Sequence, residues 1–403
     1  MIDVLLLIGA SLFLGFIGGK STERIRAPHV VGFILIGALL GNLAPNVFDT
    51  ATLDSLDVIS LLALSFIGFD VGGEMAFKVL RTLGKTILAI AILESTAAFA
   101  VVTIAVYLYT NTLYIALIFG ALASATAPAA TVDVLREYRA SGPLTSTLFA
   151  VVAIDDAVAI IIYGFASAFA KVLLAKGTLS LAGILLGPLS EIIGSLILGF
   201  ILGMALHIMI TKIHDKTELL ILTLAFILLT TGTATTLHLS LILSNMAFGM
   251  TLINLSTYGD KRAFDAVSGI SQPVYILFFI LVGARLNVGL LPEMGVLGII
   301  YIVFRSAGKV GGSFLGGRLT STPEAVRRYI GLGLLSQAGV AIGLSIQAWH
   351  EFQAFGPEGY KLGLLAINVI AATTFVFQIV GPPLTKIAIF RAGEAQPVEK
   401  TRQ

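Results

Sequence analysis

The chain has no cysteine, one tryptophan and few charges: only 12% of its 403 residues are Asp, Glu, Lys or Arg. Without cysteine, disulfides, thiolate metal sites and thiol catalysis are excluded. A water-soluble domain of this size carries roughly 25% charged residues. With about half that charge and 57% hydrophobic residues, the chain has too little polar surface for water, and its solvent is lipid. A net charge of +2 argues against nucleic acid as a partner. Coiled-coil heptads, low-complexity tracts and any long soluble segment are also missing.

What is present is a succession of apolar runs close to the ~20 residues that a helix needs to span a bilayer. They fall at 3–19, 30–44, 57–76, 84–109, 113–134, 146–170, 179–211, 217–237, 239–255, 267–284, 294–317, 326–349 and 361–388. The expectation is an all-α integral membrane protein of about thirteen transmembrane helices. The first run lacks a basic leader and a small-residue cleavage site, so it reads as a retained helix rather than a signal peptide.

Lys and Arg alternate with the loops. Nineteen of the 25 fall in the loop after the first run, in every second loop thereafter, and in the tail. Lys171, Lys176, Arg285 and Lys361 fall in the other loops, and Arg305 and Lys309 within a run. The positive-inside rule then predicts an N-terminus outside and a cytoplasmic C-terminus, in the cell's inner membrane.

Ionisable groups within a span are costly and seldom lack a partner or a task. Glu94, Asp155, Asp156, Arg305 and Lys309 are such groups. At 1.5 Å per residue, Asp155 and Asp156 lie roughly 15 Å along their helix, half of a ~30 Å hydrocarbon core. Glu94, Arg305 and Lys309 reach the same depth by the same arithmetic. Adjacent helix positions differ by about 100°, so the two aspartates face different surroundings. A carboxylate held between burial and a nearby lysine or metal cation can exchange a proton near neutrality, and a hard cation takes oxygen ligands. Cation and proton then compete for the same oxygens. The competing reading is a buried ion pair serving helix assembly alone, which needs one acid rather than two in tandem. Lys309, as a lysine, is the functional candidate on its helix. Arg305 is predicted to be a structural ion-pair partner of Glu94 or Glu74.

Two runs carry interruptions. One reads Ala123-Ser124-Ala125-Thr126-Ala127-Pro128, the other Gly331-Leu332-Gly333-Leu334-Leu335-Ser336-Gln337-Ala338-Gly339. They are the fifth and twelfth runs, seven apart in order, so they cross the membrane in opposite directions. Such breaks at matching positions of an inverted repeat point to a midplane site. Gly308, Gly312 and Gly316 make a small-residue ridge beside Lys309, suited to close helix packing. Asp57, Asp133 and Glu137 are expected at helix ends, with Asp133 a candidate for the inner mouth of the ion path. Asp70 and Glu74 are expected at the inner end of the third span in structural roles. The five histidines are scattered without ligand spacing; His29 and His214, in cytoplasmic loops, are candidates for tuning a pH response.

The tandem aspartates in Val152-Ala153-Ile154-Asp155-Asp156-Ala157, the Ala-Thr-Ala-Pro break, Ser244-Asn245-Met246-Ala247-Phe248-Gly249 and Ser336-Gln337-Ala338-Gly339 together resemble the monovalent cation/proton antiporter superfamily, most closely its bacterial NapA-type Na⁺/H⁺ antiporters. The resemblance spans Val30 to Leu384. It implies a fold with two crossed discontinuous helices and a homodimer. Residues 1–76 and 177–284 would form a scaffold, 77–176 and 285–390 a mobile core that moves like an elevator, and 391–403 a cytoplasmic tail. Asp156 would bind the transported Na⁺ with Asp155 beside it, Asp155 would pair with Lys309, and Thr126, Ser124, Gln337 and carbonyls of the second break would support the site. No cofactor is implied, and the reading is transport, not enzymatic catalysis. Asp155, where electroneutral relatives place Asn, favours electrogenic exchange. The alternatives are K⁺/H⁺ exchange, although the Gln before the aspartate and the nucleotide-binding domain of that branch are missing, and organic-anion symport on the same architecture. An intramembrane aspartyl protease is excluded because its two aspartates would sit on different helices. A channel is excluded because no helix carries a continuous polar stripe.

Overall fold

Runs this apolar must satisfy their backbone internally, and in lipid that means helices. The computed structural model describes residues 4–24, 29–43, 50–175, 181–211, 213, 215–255, 261–285 and 291–395, and no strand occurs among them. Of the residues named above, Lys176, His214 and the tail beyond Ala395 lie outside the described set.

The helices are α1 (Val4–Arg24), α2 (His29–Leu43), the short α3 (Thr50–Ser55), α4 (Asp57–Glu74), α5 (Phe77–Thr110), α6 (Leu113–Ser124), α7 (Pro128–Glu137), α8 (Pro143–Leu174), α9 (Leu181–Ile210), α10 (Lys216–Thr236), α11 (Leu241–Leu255), α12 (Lys261–Ala284), α13 (Leu291–Leu319), α14 (Glu324–Gly333), α15 (Gly339–Phe352) and α16 (Gly356–Arg391). The apolar runs 113–134 and 326–349 are each divided in two, α6/α7 and α14/α15, and each remaining run coincides with one helix. Among the described residues, eight helical stretches are long and apolar enough to cross a membrane. Leu5, Phe13, Leu108, Phe200, Ile208 and Ile221 point outward from them, an exposure that suits lipid rather than water.

The divisions have local causes. Pro128 stands in the first turn of α7 and forces the residue before it out of the helical region, so Ala127 is extended at φ −107°, ψ 97°. The second break runs from Leu334 to Ala338. The two stretches meet: Ala127 N donates to Ser336 O at 3.0 Å, and Thr131 Oγ1 donates to Gly333 O at 2.7 Å.

The glycine ridge of α13 lies on α5. A Cβ at Gly308 would come within 2.6 Å of Ala98 Cα, one at Gly312 within 2.5 Å of Leu93 O and 2.7 Å of Glu94 Cα, and one at Gly316 within 2.8 Å of Ile90 Cα. Backbone meets backbone along this seam, which is why Lys309 and Glu94 come together. Helices α6 and α8 complete the packing around α5, while α14 and α15 pack on α16. On the other side α4 and α9 pack on α11, and α2 packs on α12.

Candidate ion site

Helix ends that stop inside a membrane leave carbonyls without partners and carry the negative end of the helix dipole. Helices α6 and α14 both stop at the crossing, and the two buried basic residues of α13, Arg305 and Lys309, are directed at them. Lys309 Nζ donates to the carbonyl of Ser124, the last residue of α6, and to Thr126 Oγ1 at 2.8 Å. It also reaches Asp155 Oδ2 at 3.0 Å and Glu94 Oε2 at 2.8 Å, with all three side chains fully buried. One ammonium thus faces two carboxyl groups.

Asp155 is held from several directions. Ser95 Oγ donates to its Oδ1 at 2.5 Å, and Thr126 Oγ1 contacts its Oδ2. Asp156 is different. It accepts the backbone N–H of Thr126 at a long 3.4 Å, it is 4% exposed, and no cation among the described residues lies within ion-pair distance of it. Thr126, two residues ahead of α7, therefore touches both aspartates through different groups. The positive end of α7 faces Asp156, an arrangement that favours negative charge there.

Arg305 corrects the sequence-based expectation. It pairs with neither Glu94 nor Glu74. Its Nη1 donates to Leu335 O at 2.7 Å and its Nη2 to Ala125 O at 2.7 Å and Ser336 O at 3.3 Å, and its guanidinium lies 4.4 Å over the Phe377 ring. The planar fork of an arginine suits several fixed acceptors at once. Arg305 consequently ties the end of α14 to the start of the first break. The carbonyls of Leu335 and Ser336, expected to line the ion site, are taken by Arg305 and Ala127 instead.

The supporting residues divide as well. Thr126 is in the site, and Ser124 contributes its carbonyl while its hydroxyl donates to Ser95 O at 3.0 Å. The Gln337 side chain is directed elsewhere, donating to Tyr301 Oη at 2.7 Å and Leu122 O at 3.2 Å. Glu74 ends α4 as an exposed residue, within electrostatic reach of Asp156 and outside the Lys309 cluster. Asp133 is exposed near the end of α7, and Asp57 forms an ion pair with Arg285. His29 Nδ1 is 2.9 Å from Gly19 O.

Sequence reasoning missed Ser95, although its position beside Glu94 was a usable signal. It also missed Gln378, which donates to Gln337 O at 2.8 Å, and Glu394 at the start of the tail. Glu394 is buried and accepts Leu144 N at 2.8 Å, Thr145 N at 2.7 Å and Thr145 Oγ1 at 2.8 Å, capping the first turn of α8. No local pattern links positions 394 and 144.

Comparison with known proteins places this geometry. The family model described as "Sodium/hydrogen exchanger, transmembrane" matches residues 9–387. The ammonium/H⁺ antiporter subunit AmhT of Alkalihalophilus pseudofirmus is 26% identical over 373 residues, 92% of either chain. The high-affinity Na⁺/H⁺ antiporter NhaS3 of Synechocystis is 22% identical, with 98% of this chain and 92% of that protein covered. The solved structure of the sodium proton antiporter MjNhaP1 from Methanocaldococcus jannaschii superposes with a TM-score of 0.79 at 16% identity, covering 96% of this chain and 98% of that one. That likeness shows the fold.

Proposed function

Since the chain belongs to the sodium/hydrogen exchanger family and is an integral membrane cation/proton antiporter, we propose that it carries out electrogenic Na⁺(Li⁺)/H⁺ exchange with Asp156 as the carrier of the ion. One observation carries the reading: of the three carboxyl groups at the crossing, Glu94 and Asp155 face Lys309, and Asp156 alone has no cation within ion-pair distance among the described residues. A buried carboxylate without a counter-charge takes a proton or a metal ion. Its oxygens hold one or the other, and exposing them alternately to the two sides produces exchange.

Alternating exposure is assigned to an elevator movement of residues 77–176 and 285–390 against 1–76 and 177–284. The packing preferences support it, since α5–α8 and α13–α16 associate mainly with one another, as do α1–α4 and α9–α12. The seam between the sets is apolar where a Cβ at Gly343 would come within 3.2 Å of Leu64 and 3.4 Å of Ile67. The charge alternation supports a position in the inner membrane with the N-terminus outside, and the superfamily resemblance supports a homodimer. Ammonium as the cation is the second reading, favoured by the likeness to AmhT.

Reconstitution in liposomes with a pH-sensitive dye tests the proposal. A Na⁺ pulse should collapse a preset ΔpH, and Asp156→Asn should not respond. Exchange that survives in Asp156→Asn would overturn the site. Na⁺, Li⁺, K⁺ and ammonium pulses separate the cations. For ammonium, whose free base crosses lipid unaided, the protein's share is the difference from Asp156→Asn.

A further inference from the structure

Asp156, Tyr163, Ser167 and Lys171 follow one another along α8 at spacings of seven, four and four, which places them on one face of the helix. From Asp156 to Lys171 is roughly 22 Å of helix. The stretch between them is shut: Ala159, Ile160, Tyr163 and Ser167 are all at most 2% exposed. The Tyr163 hydroxyl is sealed in this stretch beside Ser167 and Glu351.

At the far end the face closes on a charged cluster. Lys171 Nζ lies 2.8 Å from Glu191 Oε1 on α9 and 3.2 Å from Glu351 Oε2 on α15. Ser167 Oγ donates to Glu351, and Gln347 Nε2 donates to its other oxygen at 2.5 Å. A cavity of about 490 Å³, lined in part by Lys171, Ser190, Glu191 and His238, reaches the cluster from outside. Below it the contact between α8 and its neighbours is apolar: a Cβ at Gly164 would lie 3.7 Å from Leu243 and 3.9 Å from Ile192. The charged cluster is thus a polar fastening at the end of an apolar seam.

We propose that Lys171 is a latch of the transport cycle. Its ion pair with Glu191 ties α8, the helix carrying both aspartates, to α9 and keeps the path from Asp156 to the Lys171 side closed. This rests on the alternating-access reading above. When α8 moves relative to α9, Lys171 parts from Glu191 and stays with Glu351 on α15, which belongs to the same packed set as α8. The ammonium keeps a counter-charge throughout, and Glu191 is left facing the cavity, where water solvates it. By the charge alternation the latched side is the extracellular one.

The absence of native cysteine makes the test direct. Ile160→Cys, 1% exposed here, is placed in the full-length protein in liposomes and labelled from the Lys171 side with a membrane-impermeant maleimide. Lys171→Gln and Glu191→Gln should each raise the labelling rate about fivefold, as the loss of a part-buried ion pair shifts the closed-to-open ratio. Lys171→Arg, which keeps the positive charge between Glu191 and Glu351, should keep the wild-type protection. Unchanged labelling in both Gln variants, or labelling of Lys171→Arg as fast as that of Lys171→Gln, would overturn the latch. The readout does not depend on transport: a wild-type protein without cation-driven exchange would defeat the function reading, while the labelling still decides the latch.

Discussion

Asp155 and Asp156 are neighbours on α8, yet Lys309 stands 3.0 Å from Asp155, whereas among the described residues the Asp156 side chain meets the N–H of Thr126, at 3.4 Å. Side chains one position apart on a helix diverge by about 100°. The divergence separates their surroundings: Asp155 belongs to the charge network of α13, and Asp156 is buried with no cation within ion-pair distance among the described residues.

This separation predicts that Asp155→Asn and Asp156→Asn fail differently. Asp156→Asn should lose all exchange. Asp155→Asn should retain cation-driven proton movement with the charge movement reduced or gone. Dye-monitored ΔpH together with capacitive currents on supported membranes distinguishes the two; equal loss in both variants would contradict the division of roles.

Competition at a single carboxylate predicts the pH dependence of affinity. Binding a cation requires the deprotonated group, so where the site is protonated the apparent KM for the cation should rise about tenfold for each unit of pH lowered, with little change in the maximal rate. An initial-rate series across pH checks this. A KM independent of pH would mean that cation and proton use different sites.

Lys309 compensates two buried acids, so its removal should cost more than the removal of either. Lys309→Gln leaves Glu94 and Asp155 without a cation and should destabilise the protein by about 3–5 kcal/mol. Glu94→Gln, which leaves Lys309 paired with Asp155, should cost clearly less. Thermal unfolding in detergent, followed through the single tryptophan, Trp349, gives the ranking.

Arg305 should not tolerate lysine. An ammonium cannot span Ala125 O and Leu335 O as the guanidinium does. Arg305→Lys is expected to leave at least one buried carbonyl unsatisfied at a cost of about 1–3 kcal/mol, and to lower exchange by loosening the crossing. Normal stability and rate in this variant would reduce Arg305 to a passive charge.

Glu394→Gln should weaken the cap on α8. Losing a charged acceptor for two first-turn N–H groups is worth about 1 kcal/mol. The expected result is a lower unfolding temperature and faster hydrogen exchange at Leu144 and Thr145, checked by mass spectrometry. Unchanged protection would show that the tail does not hold the helix.

Much of this was legible in the chain. Apolar runs separated by polar turns mark the helices because a bilayer leaves the backbone no other partner. Pro128 marks one break by local sterics, and the rarity of charge within spans singles out Glu94, Asp155, Asp156, Arg305 and Lys309 before any fold is known. Which of them face each other was decided by tertiary structure. Arg305 and Lys309 share a face of α13, so sequence spacing treats them alike. Their depth relative to two interrupted helices sends one to backbone carbonyls and the other to carboxylates. Glu94 reaches Lys309 rather than Arg305 because three glycines let α13 settle on α5 at one register. Gln337 is turned to Tyr301, and Glu394 to α8, by contacts made far along the chain. Burial cost is a property of a residue and its span and can be read in one dimension. The partner that offsets it is a property of packing, and exists only once the helices have met.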